Sequence, residues 1–470
     1  MNISASVGDS LVNRVKLHSS SSFASSAILT LSALFLALPP TEPPLVRDHP
    51  FVVIWNAPTD QCKQLEIPLD TAAFQAVTTP SAVPGQFLTI FYEDRLGLYP
   101  KVDIIKHKIY KGGIPQNGNL TEHLAKAKRT IDHYISQDSS PGLAVIDWES
   151  WRPLWDQNWG SKHIYQKLSI THALHLAPFL TTKKISQTAK SQFELAGRRF
   201  MEKTISIGIG KRPSRRWGFY LLPDCFNYGW NKPGYTGRCS TKAQKQNNKL
   251  LWLWERSTAL FPSVYLHMTL RNSPLAALYV RNRVQEALRV AALPKHLYTA
   301  PVYVYSRPLY RDQTQMFQTQ TDLVNTLGES AALGASGVVI WGGTRDYNSK
   351  VTFKYLSSTL SPYVANVTAA AMLCSRLLCK GNGRCVRKNY NTAHYLHLNP
   401  SSFRILKASG KYVAVGLPSA SDLSNWVENF TCQCYAGWIA VPSPNIRPTC
   451  CFPLSVLIHL LFFLSILTAE

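Results

Sequence analysis

The chain has 470 residues, enough for one large domain with a smaller one attached, or for several ordinary ones. A hydrophobic content of 45%, with 12 Trp, 21 Tyr and 19 Phe, is globular and leaves aromatic side chains to line a ligand groove. Lys and Arg exceed Asp and Glu by 23, which favours a polyanionic partner; the basic residues are scattered apart from pairs such as Lys211-Arg212 and Arg215-Arg216, so nucleic acid is set behind anionic lipid and acidic polysaccharide.

In chain order, Ala27–Leu38 (AILTLSALFLAL) is an apolar run preceded by Arg14 and Lys16 and followed by Pro39, Pro40, Pro43 and Pro44. Residues 1–40 therefore read as a secretory signal, with a short internal anchor as the alternative. In that compartment the sequons at Asn119, Asn366 and Asn429 are glycosylation candidates. Strand-like apolar runs then recur at Phe51–Asn56, Phe87–Glu93, Leu143–Glu149, Trp217–Asp224, Pro262–Met268, Pro301–Arg307 and Gly337–Gly343. Helix-like segments lie among them at Leu120–Ile135, Thr188–Ile207, Leu278–Ala292 and Asp322–Leu333. Fully apolar strands alternating with helices predict a parallel sheet covered on both faces. Seven or eight such units, with no Gly-rich phosphate loop after the first strand, favour a closed (β/α) TIM-like barrel over residues 48–365.

After about residue 370 the texture changes. Cys374, Cys379, Cys385, Cys432 and Cys434 crowd together with turn residues, and Cys434-Tyr-Ala-Gly-Trp438 has the look of the second half of an EGF-like knot. Residues 370–451 thus read as a small disulfide-rich EGF-like module. A zinc site would need a companion His/Cys pair at suitable spacing, which is lacking, so neither metal nor cofactor is expected. The last stretch, 452–470, holds the apolar run Leu454–Leu467, too short to span a bilayer comfortably as a helix. Its terminal position suits a GPI-attachment signal, with a retained tail anchor as the alternative; the cell surface is the expected location, with lysosomal or secreted forms behind it.

The most informative stretch is Gly142-Leu-Ala-Val-Ile-Asp147-Trp-Glu149. Side chains at i and i+2 of a strand share a face, so Asp147 and Glu149 project together with Cα atoms roughly 6.5–7 Å apart. Two carboxyls so close do not ionise independently, and one is expected to hold its proton above the ordinary range. Barrel chemistry sits at the C-terminal ends of strands. Tyr220, Asp224, Tyr265, Tyr305 and Trp341 fall at such ends too.

These residues, together with Phe-Tyr-Glu-Asp-Arg-Leu-Gly-Leu-Tyr-Pro (Phe91–Pro100), Trp217–Cys225, Ser257–Tyr265, Leu333–Trp341 and Cys385-Val-Arg-Lys-Asn389, closely resemble the vertebrate hyaluronidases over about residues 48–440. Within that family the motifs lie nearest the GPI-anchored type-two branch, with the sperm-surface branch as the nearest rival. The resemblance implies a distorted (β/α) barrel followed by an EGF-like module, and a hydrolase acting on the β-1,4 bonds of hyaluronan. It implies Glu149 as the general acid/base and Asp147 as the residue orienting the substrate's N-acetyl group. Tyr220 and Tyr265 match tyrosines lining the catalytic subsite, and Trp341 the wall beside the acetamido methyl. Arg283 matches a groove arginine, read as a clamp on the sugar carboxylate, and Asp224 an aspartate close to the pair. The expected disulfides are Cys225–Cys239, Cys374–Cys385, Cys379–Cys432, and Cys434 with Cys450 or Cys451. Cys62 has no obvious partner, because Phe353 occupies the neighbourhood where the family places a second cysteine. Ser150 stands where relatives commonly carry another acid, and Phe226 where many carry tyrosine.

Two carboxyls on one strand face approach a sugar from the same side, so they do not divide the roles of acid and nucleophile. The expected mechanism is therefore substrate-assisted and retaining. The alternatives are a surface hyaluronan-binding protein with little turnover, and a glycosidase acting mainly on chondroitin.

Overall fold

The computed structural model describes residues 38–59, 66, 70–343, 346–347, 350–441 and 450–453. The expected signal at 1–40 lies almost wholly outside them, as do Cys62 and the apolar run Leu454–Leu467.

Eight parallel segments curl into one barrel. Their order around it is Ala76–Thr78, Val52–Asn56, Gly337–Trp341, Tyr303–Ser306, a bridging segment about Leu260–Ser263, Arg215–Phe219, Gly142–Asp147 and Leu88–Tyr92. Along each strand, successive residues point alternately inward and outward. Val52, Ile54, Leu88, Ile90, Leu143, Val145, Tyr303, Tyr305 and Val339 fill the interior. Their neighbours Val53, Trp55, Phe91, Ala144, Ile146, Val304 and Ile340 face the surrounding helices. Both faces are dry, which is why these strands read as unbroken apolar runs. Between Leu88–Tyr92 and Ala76–Thr78 no strand ladder forms among the described residues; instead Thr79 N donates to the Gln86 side chain (3.2 Å) and Arg95 Nη1 to Pro80 O (2.8 Å).

Two elements differ from the sequence expectation. The run Pro262–Met268 forms no strand ladder among the described residues; the chain there makes only isolated bridges, from Leu260 and Phe261 just before the run and from Ser263 within it, because Pro262 has no N–H to donate to a ladder. The segment expected as one helix over Asp322–Leu333 is helical over Gln320–Leu323 and Glu329–Ala332, with a π-helical turn at Val324–Gly328 between them. Elsewhere the helices run longer than their most periodic parts, notably Thr182–Lys211 and Pro274–Ala291; the latter has Ser273 as its N-cap and Pro274 in its first turn.

The helix Ser361–Leu378 leads into the Cys-rich part. There Gly383–Arg387 pairs antiparallel with Phe430–Cys434, and hairpins form from Phe403–Ala408 with Lys411–Gly416 and from Trp438–Val441 with Cys450–Pro453. Among the described residues the disulfides are Cys225–Cys239, Cys374–Cys385, Cys379–Cys432 and Cys434–Cys451. Of the two cysteines considered for Cys434, Cys451 makes the bond.

A buried carboxylate ties this part to the barrel. Glu329 is fully buried and receives Arg281 Nη2 from the helix Pro274–Ala291 and Arg387 Nη2 from the strand Gly383–Arg387, each at 2.5 Å. Removing its charge strands two buried guanidinium groups. Glu329→Gln should lower stability to urea by about 3–5 kcal/mol; a loss under about 1 kcal/mol would show that the triad is dispensable.

Candidate active site

The strand Gly142–Asp147 is apolar up to its last residue, where Asp147 takes the inward parity of Leu143 and Val145. Glu149 follows just past the strand end with the same parity. The two carboxyls line one cavity of about 80 Å³ with Tyr220, Tyr265, Tyr305 and Trp341, over a floor of Ile90 and Val145. That volume suits a small amide group rather than a sugar ring. A wider hollow of about 330 Å³ shares Glu149, Tyr220 and Tyr265 with it, and adds Tyr228, Arg307 and Arg311.

Asp147 is held as an acid. Burial, and then the negative charges of Glu149 and Glu93, push its carboxyl up to about 8, with Arg152 working the other way. Its Oδ1 is buried without a hydrogen-bond partner among the described residues. Glu149 is far more open, its side chain 47% exposed, with Arg152 Nη2 at 3.7 Å. The site thus pairs a carboxyl that keeps its proton near neutrality with a second, accessible carboxyl beside it.

The loop carrying Glu149 is pinned from below by a residue to which sequence reasoning gave no role. Glu93, one residue past the neighbouring strand Leu88–Tyr92, accepts from Glu149 N (3.1 Å), Ser150 N (2.7 Å) and Ser150 Oγ (2.5 Å), and pairs with Lys101 (2.9 Å). Burial works against its charge, but the bonds from Ser150 and Lys101 prevail and keep its carboxyl below the usual range. Ser150 is therefore a donor that holds the loop. From above, Arg152 Nη1 donates to Glu149 O (3.0 Å) and Lys162 Nζ bonds the same carbonyl. The available signal was Glu93's place at a strand end in Phe91–Pro100, next in register to Asp147.

The tyrosines form a linked set. Tyr220 Oη donates to Tyr265 Oη (3.1 Å), and the Tyr220 ring stands edge-on to Tyr305 at 4.9 Å. Burial raises the phenols of Tyr220 and Tyr265 well above their ordinary range, so both remain neutral hydroxyls. Trp341 ends the strand Gly337–Trp341 with Arg307 over its ring at 5.5 Å, and Asp346 holds Arg307 at 2.7 Å.

Arg283 and Asp224 are placed otherwise than expected. They form a buried ion pair at 2.8 Å, their side chains 1% and 6% exposed, and neither lines the two cavities. Arg283 Nε also donates to Ser263 O (2.6 Å) and Nη1 to Asn227 Oδ1 (3.2 Å), while Asp224 Oδ1 accepts from Cys225 N (2.7 Å) and Phe226 N (3.0 Å). Arg283 is thus committed to the loop after the strand Arg215–Phe219 and is not open to a substrate carboxylate. Phe226 meets the exposed Trp159 edge-on at 6.5 Å.

Of the sequon residues, Asn119 is exposed and caps the helix Leu120–Tyr134, accepting from Glu122 N. Asn366 is half-buried and accepts from Leu398 N, and Asn429 is half-buried with its amide on Asn425 O.

Because the carboxyl of Asp147 is raised from 3.8 to about 8, the folded chain keeps a proton that the unfolded chain releases. Its contribution to stability therefore falls as pH rises from about 4 to about 8 and is level above that window. Asp147→Asn should gain stability relative to the wild type across that window, measured by urea unfolding at about pH 4.5 and about pH 8. Parallel pH profiles for the two proteins would contradict a protonated Asp147.

Comparison with known proteins agrees with this architecture. The family model described as hyaluronidase matches residues 40–444. Human hyaluronidase PH-20 is 43% identical over 415 residues, covering 87% of this chain and 81% of that protein. Hyaluronidase-1 of Cerastes cerastes is 45% identical over 408 residues, covering 84% and 90%. Among solved structures, bee venom hyaluronidase in complex with a hyaluronic acid tetramer superposes with a TM-score of 0.60 at 32% identity, over 67% of this chain and 98% of that one.

Proposed function

The chain belongs to the hyaluronidase family, and we propose that Glu149 carries its proton transfers while Asp147 and Tyr265 manage a nucleophile supplied by the substrate. It is a glycoside hydrolase that cleaves hyaluronan endolytically. Hyaluronan alternates N-acetylglucosamine with a uronate, so every cleavable hexosaminidic bond comes with a 2-acetamido group beside it.

The observation that carries the mechanism is the small cavity itself. It is sized for an amide, and it holds the neutral Asp147 with an unpartnered Oδ1, the neutral phenol of Tyr265, and the accessible Glu149. In the proposed reaction Glu149, which takes up a proton from solvent, passes it to the departing glycosidic oxygen while the acetamido oxygen attacks C1. Oδ1 of Asp147 accepts the acetamido N–H and Tyr265 donates to its oxygen, which holds the group in line. Glu149, now a base, then takes a proton from the incoming water. Two displacements at C1 give net retention.

The remaining elements of the proposal concern the rest of the chain. Residues 370–451 are read as an EGF-like module, 1–40 as a signal, and 452–470 as a GPI-attachment segment that places the enzyme at the cell surface. The four disulfides among the described residues and the kinship to bee venom hyaluronidase support the secretory pathway. Among the described residues no helix is long and apolar enough to cross a membrane. Chondroitin, with the same alternation of N-acetylhexosamine and uronate, is the second substrate to assay.

Glu149→Gln should lower kcat on hyaluronan by about 10²–10⁴-fold in a reducing-end assay, with polymer binding retained. Undiminished turnover would remove Glu149 from the reaction, and binding without cleavage by the wild type would make the protein a hyaluronan-binding module. The first product anomer, followed by NMR, should be β; an initial α product would exclude the substrate-assisted route.

A further inference from the structure

With Arg283 buried, the groove needs another cation to meet a uronate. The wider hollow beside Glu149 is lined by two, Arg307 and Arg311. Arg307 is occupied, paired with Asp346 at 2.7 Å and seated over Trp341. Arg311 is exposed, and its guanidinium makes no ion pair or side-chain hydrogen bond among the described residues. The acid next to it in sequence does not neutralise it: Asp312 is turned to His267 Nε2 (3.1 Å) and to Met268 N (2.8 Å).

Its position is set by an aromatic ring. The guanidinium carbon of Arg311 lies 5.9 Å from the centroid of the Tyr228 ring. The same ring receives Arg283 at 5.4 Å. Arg283 in turn is locked by Asp224, Asn227 and the Ser263 carbonyl. A buried ion pair thus steadies a tyrosine, and the tyrosine presents a second, unpaired arginine to the hollow that contains Glu149. Two cations sharing one ring leave the outer one in want of an anion.

We propose that Arg311 is a specificity-determining residue that clamps the carboxylate of the uronate next to the cleaved N-acetylglucosamine. This rests on the hyaluronan-cleaving reading above. In an alternating polymer, seating N-acetylglucosamine beside Asp147 puts a glucuronate on both sides of it, so a cation adjoining the catalytic hollow faces a carboxylate whichever way the chain runs. A guanidinium offers that group two parallel N–H donors. Arg311 is a positioning residue: it acts on binding and register and leaves proton transfer to Glu149.

The test measures binding and turnover in the full chain, with hyaluronan hexasaccharide and its carboxyl-reduced counterpart as probes. In the Glu149→Gln background, adding Arg311→Ala should weaken binding of the native hexasaccharide about tenfold, and leave binding of the carboxyl-reduced one unchanged. In the active enzyme Arg311→Ala should raise KM about tenfold with kcat within about twofold. An equal loss on both probes would assign Arg311 a merely structural part, and no loss on the native probe would overturn the clamp outright. Cleavage of hyaluronan by the wild type with Arg311→Ala indistinguishable from it removes the clamp alone. Absence of cleavage by the wild type removes the underlying functional reading together with it.

Discussion

Everything around the catalytic hollow answers to one constraint: a carboxyl buried at the end of an apolar strand, with two other carboxylates within reach of its charge. Asp147 cannot ionise cheaply there, because both desolvation and the fields of Glu149 and Glu93 oppose it. The surroundings hold those neighbours in place. Lys101 and Ser150 satisfy Glu93, and Glu93 in turn holds the backbone on which Glu149 rides. Arg152 and Lys162 close the loop from the other side through the Glu149 carbonyl. The result is a division of labour by environment: neighbouring residues of one chemical type, one kept neutral by burial and one left accessible.

The parity of the strand made the centre of this arrangement legible in sequence. Leu143 and Val145 point inward, so Asp147 must as well, and Glu149 keeps the phase; no long-range information is needed. The barrel was readable for a related reason, since strands dry on both faces leave unbroken apolar runs. What was not readable depends on partners distant in the chain. Nothing local marks Glu93 as the anchor of a loop more than fifty residues away. Arg283 on an amphipathic helix looks the same whether it reaches a groove or an inner aspartate, and only the fold decides that it meets Asp224. The choice between Cys450 and Cys451 hangs on the register of a hairpin, Ala440 opposite Cys451, which the spacing of cysteines does not contain. Pro262 misled in the opposite sense: an apolar run of strand length forms only scattered bridges where its donor is missing.

Family resemblance and physical reading therefore carried different parts of the picture. Kinship identified which side chains gather at the barrel mouth. It did not distinguish those that touch the hollow from those that support it. Burial and pairing make that separation: Tyr220, Tyr265 and Trp341 line the cavity, whereas Asp224 and Arg283 stand behind the wall and keep a loop in shape.

The Glu329 triad has a consequence for how such a chain can be divided. Its two arginines come from opposite sides of the barrel–module junction, and the carboxylate between them has no access to water. A fragment ending before Arg387 would expose an acid designed for two cations to only one. The Cys-rich part is in that sense a keystone rather than a pendant: it completes the charge balance of the barrel that precedes it. Any shuffling event that transplanted this barrel alone would have to bring a replacement for Arg387, or lose Glu329 in the same step.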